Sequence, residues 1–208
     1  MSRARRIVPR PRRTLASVFG VLALVTAAAI VPGCSDGEGT LFTISSVPSA
    51  DGSSQLLVYR TRGHGWDDNQ QRSFSAYVEV YAEQTDEFLP RGITSKDVFV
   101  RIYTFDGPPW PEGDVELRFD GHATALLADG DFVERGEDQI EVPGTGNVQR
   151  ANYFACGAAG STLMRVSARQ SARFHTGGVF VELDFDQLQG IAKFLARAIE
   201  PAAKEAGG

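Results

Sequence analysis

Alternating apolar and polar residues dominate the middle of the chain and predict β-strands. Runs rich in β-branched and aromatic residues occupy residues 40–47, 55–61, 74–82 and 98–105. A cluster of proline, serine, aspartate and glycine separates the first two runs and is typical of a turn. Because the sequence contains no internal repeat and no interdomain linker, we expect a single, mainly β domain over residues 40–208.

Two Asp-Gly pairs, which begin at Asp120 and Asp129, mark a predicted three-stranded meander. Val115, Leu117 and Phe119 alternate with charged residues before the first pair. An Asp-Gly pair suits a two-residue type I′ turn because both of its residues need positive φ. Such turns place all the apolar residues on one face of the meander, and they predict these pairs: Phe119 with His122, Leu117 with Thr124, Val115 with Leu126, and Leu126 with Val133.

A second hairpin is predicted towards the end of the chain. Alternation over residues 164–174 predicts one strand, Gly177-Gly178 a turn, and residues 179–185 the returning strand. A two-residue turn there gives the following pairs: Phe174 with Val181, Ala172 with Leu183, Arg173 with Glu182, Ser171 with Asp184, and Arg169 with Asp186.

The same strand would carry three arginines on one face. Together, Arg165, Arg169 and Arg173 could hold a carboxylate, a phosphate or a sulfated sugar. The predicted pairing gives two of them acidic cross-strand neighbours, which favours a structural role. Arg165 has no assigned acid and is therefore a candidate ligand or partner contact.

The last part of the chain predicts an amphipathic helix over residues 186–205. Asp186 is a suitable N-cap, and Gln189 could complete a capping box. Only Lys193 and Arg197 are basic in this helix before Pro201, so we expect its apolar face to pack on the sheet rather than on a membrane. The expected fold is a single antiparallel β-sandwich with a C-terminal amphipathic helix packed on it.

The amino-terminal segment differs from the rest of the chain in charge and hydropathy. Of 208 residues with a net charge of −5, residues 1–33 hold six arginines and no acid, and the other 175 hold 15 basic and 26 acidic residues. A basic start followed by an uncharged run to Gly33 is typical of an export signal. The apolar run is at the lower limit for a membrane span, so a cleaved signal is favoured over a retained helix. The acidic remainder argues against nucleic-acid binding.

The segment Val31-Pro32-Gly33-Cys34 resembles the lipobox of bacterial lipoproteins. The resemblance implies that the chain is cut before Cys34 and that this cysteine carries a diacylglyceryl group, often with a further acyl chain such as palmitate. It also implies that residues 34–39 form a short tether and that the protein lies in the bacterial cell envelope. There a lipid anchor would hold it in a membrane, facing the periplasm or the cell surface.

Candidate binding residues are few. Trp66 and Trp110 both sit in turn-rich segments, where they could stack on sugars, anchor a partner, or simply pin their own loops. The acid-rich segment 129–141 does not fit the EF-hand pattern, so a solvated loop is favoured and calcium binding stays open. The three histidines have no metal-ligand spacing, and no cofactor motif is present.

Catalytic candidates are also sparse. Cys156 could act as a nucleophile with His175 as its base, although a buried, inert cysteine is the favoured interpretation. We therefore expect a non-enzymatic binding or assembly module for a protein or glycan partner of the envelope. An envelope hydrolase with a site near Cys156 and His175 remains the alternative.

The lipobox makes a direct prediction about Cys34. Replacing Cys34→Ala removes the only acceptor of the thioether, so the chain should lose metabolic labelling by palmitate and leave the membrane fraction. Labelling that is unchanged in Cys34→Ala would contradict a lipoprotein.

Overall fold

Antiparallel strand pairing and two helices organise the chain in the computed structural model, which describes residues 42–48, 55–84, 97–120, 123–142 and 146–199. The leader 1–33, Cys34 and the tether to residue 39 lie outside the described residues. The elements, in chain order, are β1 (Phe42–Pro48), β2 (Gln55–Asp67), β3 (Arg72–Gln84), β4 (Asp97–Phe105), β5 (Val115–Phe119), β6 (Ala123–Ala128), β7 (Glu134–Glu141), β8 (Val148–Ala159), α1 (Gly160–Ser167), β9 (Ser171–Thr176), β10 (Val179–Asp184) and α2 (Phe185–Ile199). The predicted mainly β fold with a C-terminal helix is confirmed.

The ten strands form one continuous antiparallel sheet. Their order is β6-β5-β9-β10-β2-β3-β4-β8-β7, and β1 pairs with β2 beside this path. The long strand β2 has two neighbours along one edge: β1 from Gln55 to Thr61, and β10 from His64 to Asp67. Gly65 lies in the second stretch, where a Cβ would overlap the ring of Phe74. Glycine therefore allows the close packing at the point where the neighbour changes.

The inner face of the sheet packs against both helices. Its largest fully buried side chains come from strands and helices alike, including Tyr59, Phe154, Phe174 and Phe194. The Tyr59 hydroxyl donates a hydrogen bond of 2.7 Å to the carbonyl of Gln187 in α2. Because β6 also approaches β8, the far end of the sheet curls back over the same core, as in a sandwich. Helix α2 thus closes the inner face, as predicted.

The first hairpin has a different register from the predicted one. Phe119 pairs with Ala123, and Arg118 rather than Leu117 pairs with Thr124. The turn therefore contains three residues, and its first, Asp120, adopts a φ of 53°. One extra turn residue moves the partners of residues 116–119 by one position and turns Leu126 outwards, where it is 57% exposed. A bulge beside Val115 moves its partner by two positions, to Ala128. The predicted two-residue turn was wrong, and His122 lies outside the described residues.

The predicted third strand of the meander was also wrong. Asp129 caps a short 3₁₀ turn, Gly130–Phe132, with its side chain accepting a hydrogen bond from the Asp131 amide. The chain then enters β7, which pairs with β8 at the edge of the sheet. The acid-rich segment 129–141 is therefore mostly an edge strand rather than a loop. Charges on an edge strand protect it from pairing with other chains.

The predicted strand over residues 164–174 was partly wrong. Residues 160–167 form helix α1, in which Leu163, Val166 and Ser167 are buried at helical spacing. Val166 fits either period, at strand spacing with Met164 and at helical spacing with Leu163, and packing of α1 against α2 decides the outcome. The hairpin that follows is confirmed over residues 171–184, with Phe174 opposite Val181 and Arg173 opposite Glu182, but the predicted pair of Arg169 and Asp186 does not form.

The cap of α2 lies two residues earlier than predicted. The Asp184 carboxylate accepts a 2.9 Å hydrogen bond from the Gln187 amide, and the Gln187 side chain accepts one of 2.8 Å from the Asp184 amide. This reciprocal pair replaces the expected pair of Asp186 and Gln189. Gln189 instead donates to the carbonyl of Ser167 at the end of α1. The predicted helical residues 200–205 lie outside the described residues.

The position of the cap can be tested by stability. Asp184→Ala should lower the free energy of unfolding by about 1–2 kcal/mol, because the first turn of α2 loses its side-chain acceptor. The matched variant Asp186→Ala should cost less than half as much. Urea unfolding of both variants measures the difference, and an equal or larger loss in Asp186→Ala would contradict the observed cap.

Candidate functional site

A row of partly exposed side chains crosses five strands on the outer face of the sheet, the face opposite the helices. The register places Trp66 of β2 beside Phe180 of β10, and Phe180 beside His175 of β9. His175 is opposite Glu116 of β5, and Glu116 is opposite Leu126 of β6. Cross-strand partners point to the same side of a sheet, so these five residues form one continuous line, named here the aromatic row.

The neighbouring line on the same face is rich in charge and is named here the arginine row. It runs from His64 of β2 through Glu182 of β10 and Arg173 of β9 to Arg118 of β5, and ends at Thr124 of β6. Together the two rows make the surface called the outer patch below. Apolar rings and charged groups are interspersed on it rather than segregated.

Several contacts fix the side chains of the outer patch. The indole Nε1 of Trp66 donates a 3.0 Å hydrogen bond to the Asp68 carboxylate, which orients the ring. The Nε of Arg173 donates a 2.9 Å bond to Glu182, and its guanidinium lies 4.6 Å from the centre of the Phe180 ring. These contacts limit the rotamers of the indole and the guanidinium before any partner arrives.

The pKa of His175 depends on the charged groups around its side chain. Its side chain faces Arg118 and Glu116 from β5, Asp68 from the turn after β2, and Arg173 from its own strand. Burial lowers the pKa of His175, and the positive charge of Arg118 lowers it further against the opposing effect of Glu116. The imidazole is therefore neutral near pH 7, and the positive charge of the outer patch resides on its arginines.

The other half of the outer face holds a second polar cluster, which is self-contained. Four of the five tyrosines in the chain lie there, on β3, β4 and β8: Tyr77, Tyr81, Tyr103 and Tyr153. The Arg101 guanidinium lies 4.2 Å from the centre of the Tyr153 ring and 3.3 Å from the Asp138 carboxylate. Nothing in the sequence pattern singled out this cluster, because its members come from separate strands.

Glu79 lies at the centre of this tyrosine cluster. Only 7% exposed, it accepts a 2.6 Å bond from the Arg60 Nε and another from the Tyr81 hydroxyl. Burial, together with the charge of Glu79, raises the pKa of Tyr81 well above its ordinary value. The carboxylate is thus neutralised and hydrogen-bonded within the sheet, which is a stabilising rather than a ligand-binding arrangement.

The structure separates the residues predicted to bind ligands. Trp66 lies in strand β2, not in a loop, and belongs to the outer patch. Trp110 is only 6% exposed and packs edge-on against Phe154 with ring centres 4.7 Å apart, so it joins the core. Arg165 is exposed in the last turn of α1, away from the strand that carries Arg173. The predicted arginine stripe therefore does not form.

Arg169 also departs from its predicted partner. It pairs with Asp120 at 2.8 Å instead of Asp186, and its guanidinium lies 5.3 Å from the centre of the Phe119 ring. It lies after the end of α1 and before β9, so it contributes to packing at the Asp120 turn.

Cys156 and His175 point to opposite sides of the sheet. Cys156 is fully buried in the core on β8, and it is a free cysteine. His175 alternates with the buried Phe174 and Thr176 and thus lies on the outer face. Burial raises the pKa of Cys156 to about 12. A protonated thiol without access to the imidazole gives the alternative of a Cys-His hydrolase no structural support.

An acidic recess lies where the 3₁₀ turn meets the start of β5. A cavity of about 470 Å³ is lined by Glu112, Asp114, Asp129, Asp131 and Arg135, among others. Two of the carboxylates accept local backbone hydrogen bonds: Asp114 from Gly130 and Asp129 from Asp131. Within the described residues, no group of three or more acids, histidines or cysteines is arranged to hold a metal ion.

No protein-family model matches the sequence, and comparisons with curated proteins and with solved structures find no significant similarity. Neither of the two helices in the described part of the chain is long and apolar enough to cross a membrane.

The burial of Cys156 predicts low thiol reactivity. In the Cys34→Ala chain at mildly alkaline pH, Ellman's reagent should label Cys156 very slowly, because its raised pKa keeps the thiol protonated and the core excludes the reagent. Labelling should become complete in denaturing guanidinium, which serves as the control. Rapid labelling of the folded chain would contradict an inert core cysteine.

Proposed function

We propose that this protein is a lipid-anchored lipoprotein of the bacterial envelope that binds a protein or glycan partner through the outer patch. The observation that carries the proposal is Trp66, an oriented and partly exposed indole on an open sheet face. Two exposed arginines, Arg118 and Arg173, lie in the adjacent row. Tryptophan and arginine are the residues most enriched at binding hot spots.

The expected anchor would keep this patch close to a membrane. Strand β1 begins at Phe42, eight residues after Cys34, and an extended segment of that length spans at most about 29 Å. Such a tether would hold the domain near the bilayer and raise its effective concentration around envelope partners. A binding module needs only this placement and an accessible face.

The proposal is tested by photo-cross-linking in the native envelope. A photoreactive phenylalanine analogue at position 66 should give adducts with the partner, whereas the same analogue at position 132 should not. Phe132 is a matched control because it is an exposed aromatic side chain, 62% accessible, on the 3₁₀ turn outside the outer patch.

Two further arms sharpen this experiment. Adduct formation from position 66 should fall in the Arg173→Gln chain, because the neighbouring arginine contributes to the same surface. Equal adducts from positions 66 and 132, or none from position 66, would contradict the outer patch as the binding surface.

A further inference from the structure

Two arginines face each other directly on the outer patch. Arg118 of β5 and Arg173 of β9 are cross-strand partners, and their side chains are 46% and 50% exposed. Like charges placed directly opposite in an antiparallel pair are destabilising. Each guanidinium also has five N–H donors, more than its single carboxylate neighbour accepts. The pair therefore offers unused donors to an additional anion.

The acids beside the pair reduce its charge without covering it. Glu116 accepts both 3.2 Å bonds from Arg118, through Nε and one terminal nitrogen. Glu182 accepts from the Nε of Arg173. Among the residues that the structure describes, none occupies the other terminal nitrogens of the two guanidiniums, so they are open to an anion that approaches from solvent. Burial is the main cause of the lowered pKa of His175, and Arg118 lowers it further, whereas Glu116 and Asp68 oppose this effect.

The arginine pair lies next to an aromatic platform. Phe180 belongs to the aromatic row and lies on β10, the strand next to the one that carries Arg173. Trp66 lies in the same row on β2, the next strand along. Neighbouring strands lie about 4.8 Å apart and successive rows about 6.8 Å apart, so the indole and the guanidiniums are within reach of one short oligosaccharide. Arg173 already covers one side of Phe180, which leaves Trp66 as the stacking surface.

We propose that the outer patch binds an acidic glycan, with a sugar ring stacked on Trp66 and the carboxylate of a sugar further along the same glycan held between Arg118 and Arg173. This inference rests on the binding function proposed above and names its ligand class. The remaining terminal N–H groups of the two guanidiniums match a carboxylate, which accepts paired hydrogen bonds from arginine. A protein partner fits less well, because Glu116 and Glu182 lie among the rings and arginines, and glutamate is depleted at protein interfaces.

The test is a calorimetric titration of the full chain with oligogalacturonate, and with a neutral glucan of the same length. Oligogalacturonate should bind at least about tenfold more tightly than the neutral glucan, since only the carboxylates engage the arginine pair. Arg118→Gln and Trp66→Ala should each weaken the binding of oligogalacturonate by about tenfold or more. Arg165→Gln, an exposed arginine on α1, is the matched control and should leave the affinity unchanged.

A second measurement avoids dependence on variants that fold poorly. Two-dimensional NMR of the unmodified sequence follows the ring of His175 as pH changes, with and without saturating oligogalacturonate. A bound carboxylate offsets the positive charges of Arg118 and Arg173, so the pKa of His175 should rise on binding.

The outcomes separate this inference from the proposed function. Equal affinity for the two glycans, or unchanged binding in Arg118→Gln, would overturn the acidic-glycan assignment, and so would absence of binding. Protein adducts at position 66 combined with no glycan binding would leave the binding function in place and assign the outer patch to a protein. A failure of both experiments would remove the binding function as well.

Discussion

The whole arrangement depends on the register of the thirteen-residue strand β2. One edge of this strand pairs with β3 along its entire length, and the other edge is shared between β1 and β10. The two halves of the sheet are therefore joined through one strand. A slip of one residue would exchange the faces, sending Trp66 into the core and Tyr59 to solvent. Burial of Tyr59 against α2, with its hydroxyl bonded to Gln187, opposes such a slip.

The same register gives the two faces of the sheet different side chains. The inner face supplies the hydrophobic core and accommodates Cys156 and Trp110, both of which are buried there. The outer face is built from the alternate positions and has two regions. In one, Glu79 and its tyrosine neighbours satisfy each other's hydrogen bonds. In the other, around Trp66, rings and arginines remain accessible, and this difference is why we propose it as the binding surface.

Local signals in the sequence predicted the parts of the fold that short-range chemistry decides. The Gly177-Gly178 turn fixed a hairpin because both glycines adopt positive φ, at 53° and 89°. Asp120 also adopts positive φ, but its turn contains one residue more than predicted. The alternation of apolar and polar residues in the strands does not determine the length of the turn between them. Strand β7 lacked an apolar period because it is a charged edge strand, so composition suggested a loop.

The candidate site could be predicted only in part, for a different physical reason. Trp66 was singled out by residue type, but its neighbours Phe180 and Arg118 come from strands that are distant in sequence. Which strands become neighbours is decided by the burial of whole faces, not by any local motif. The leader and the lipid site at Cys34 stay predictions, made from a local pattern that does not depend on the fold.

Cross-strand contacts in solution test the central claim, that this register builds the outer patch. In NMR spectra of the full chain, nuclear Overhauser effects should connect the backbone protons of Arg118 with those of Arg173, and the backbone protons of Phe180 with those of His175. Pairing of Leu117 with Arg173, or the lack of any contact between Arg118 and β9, would contradict this register, because the arginines would then not face each other beside Trp66.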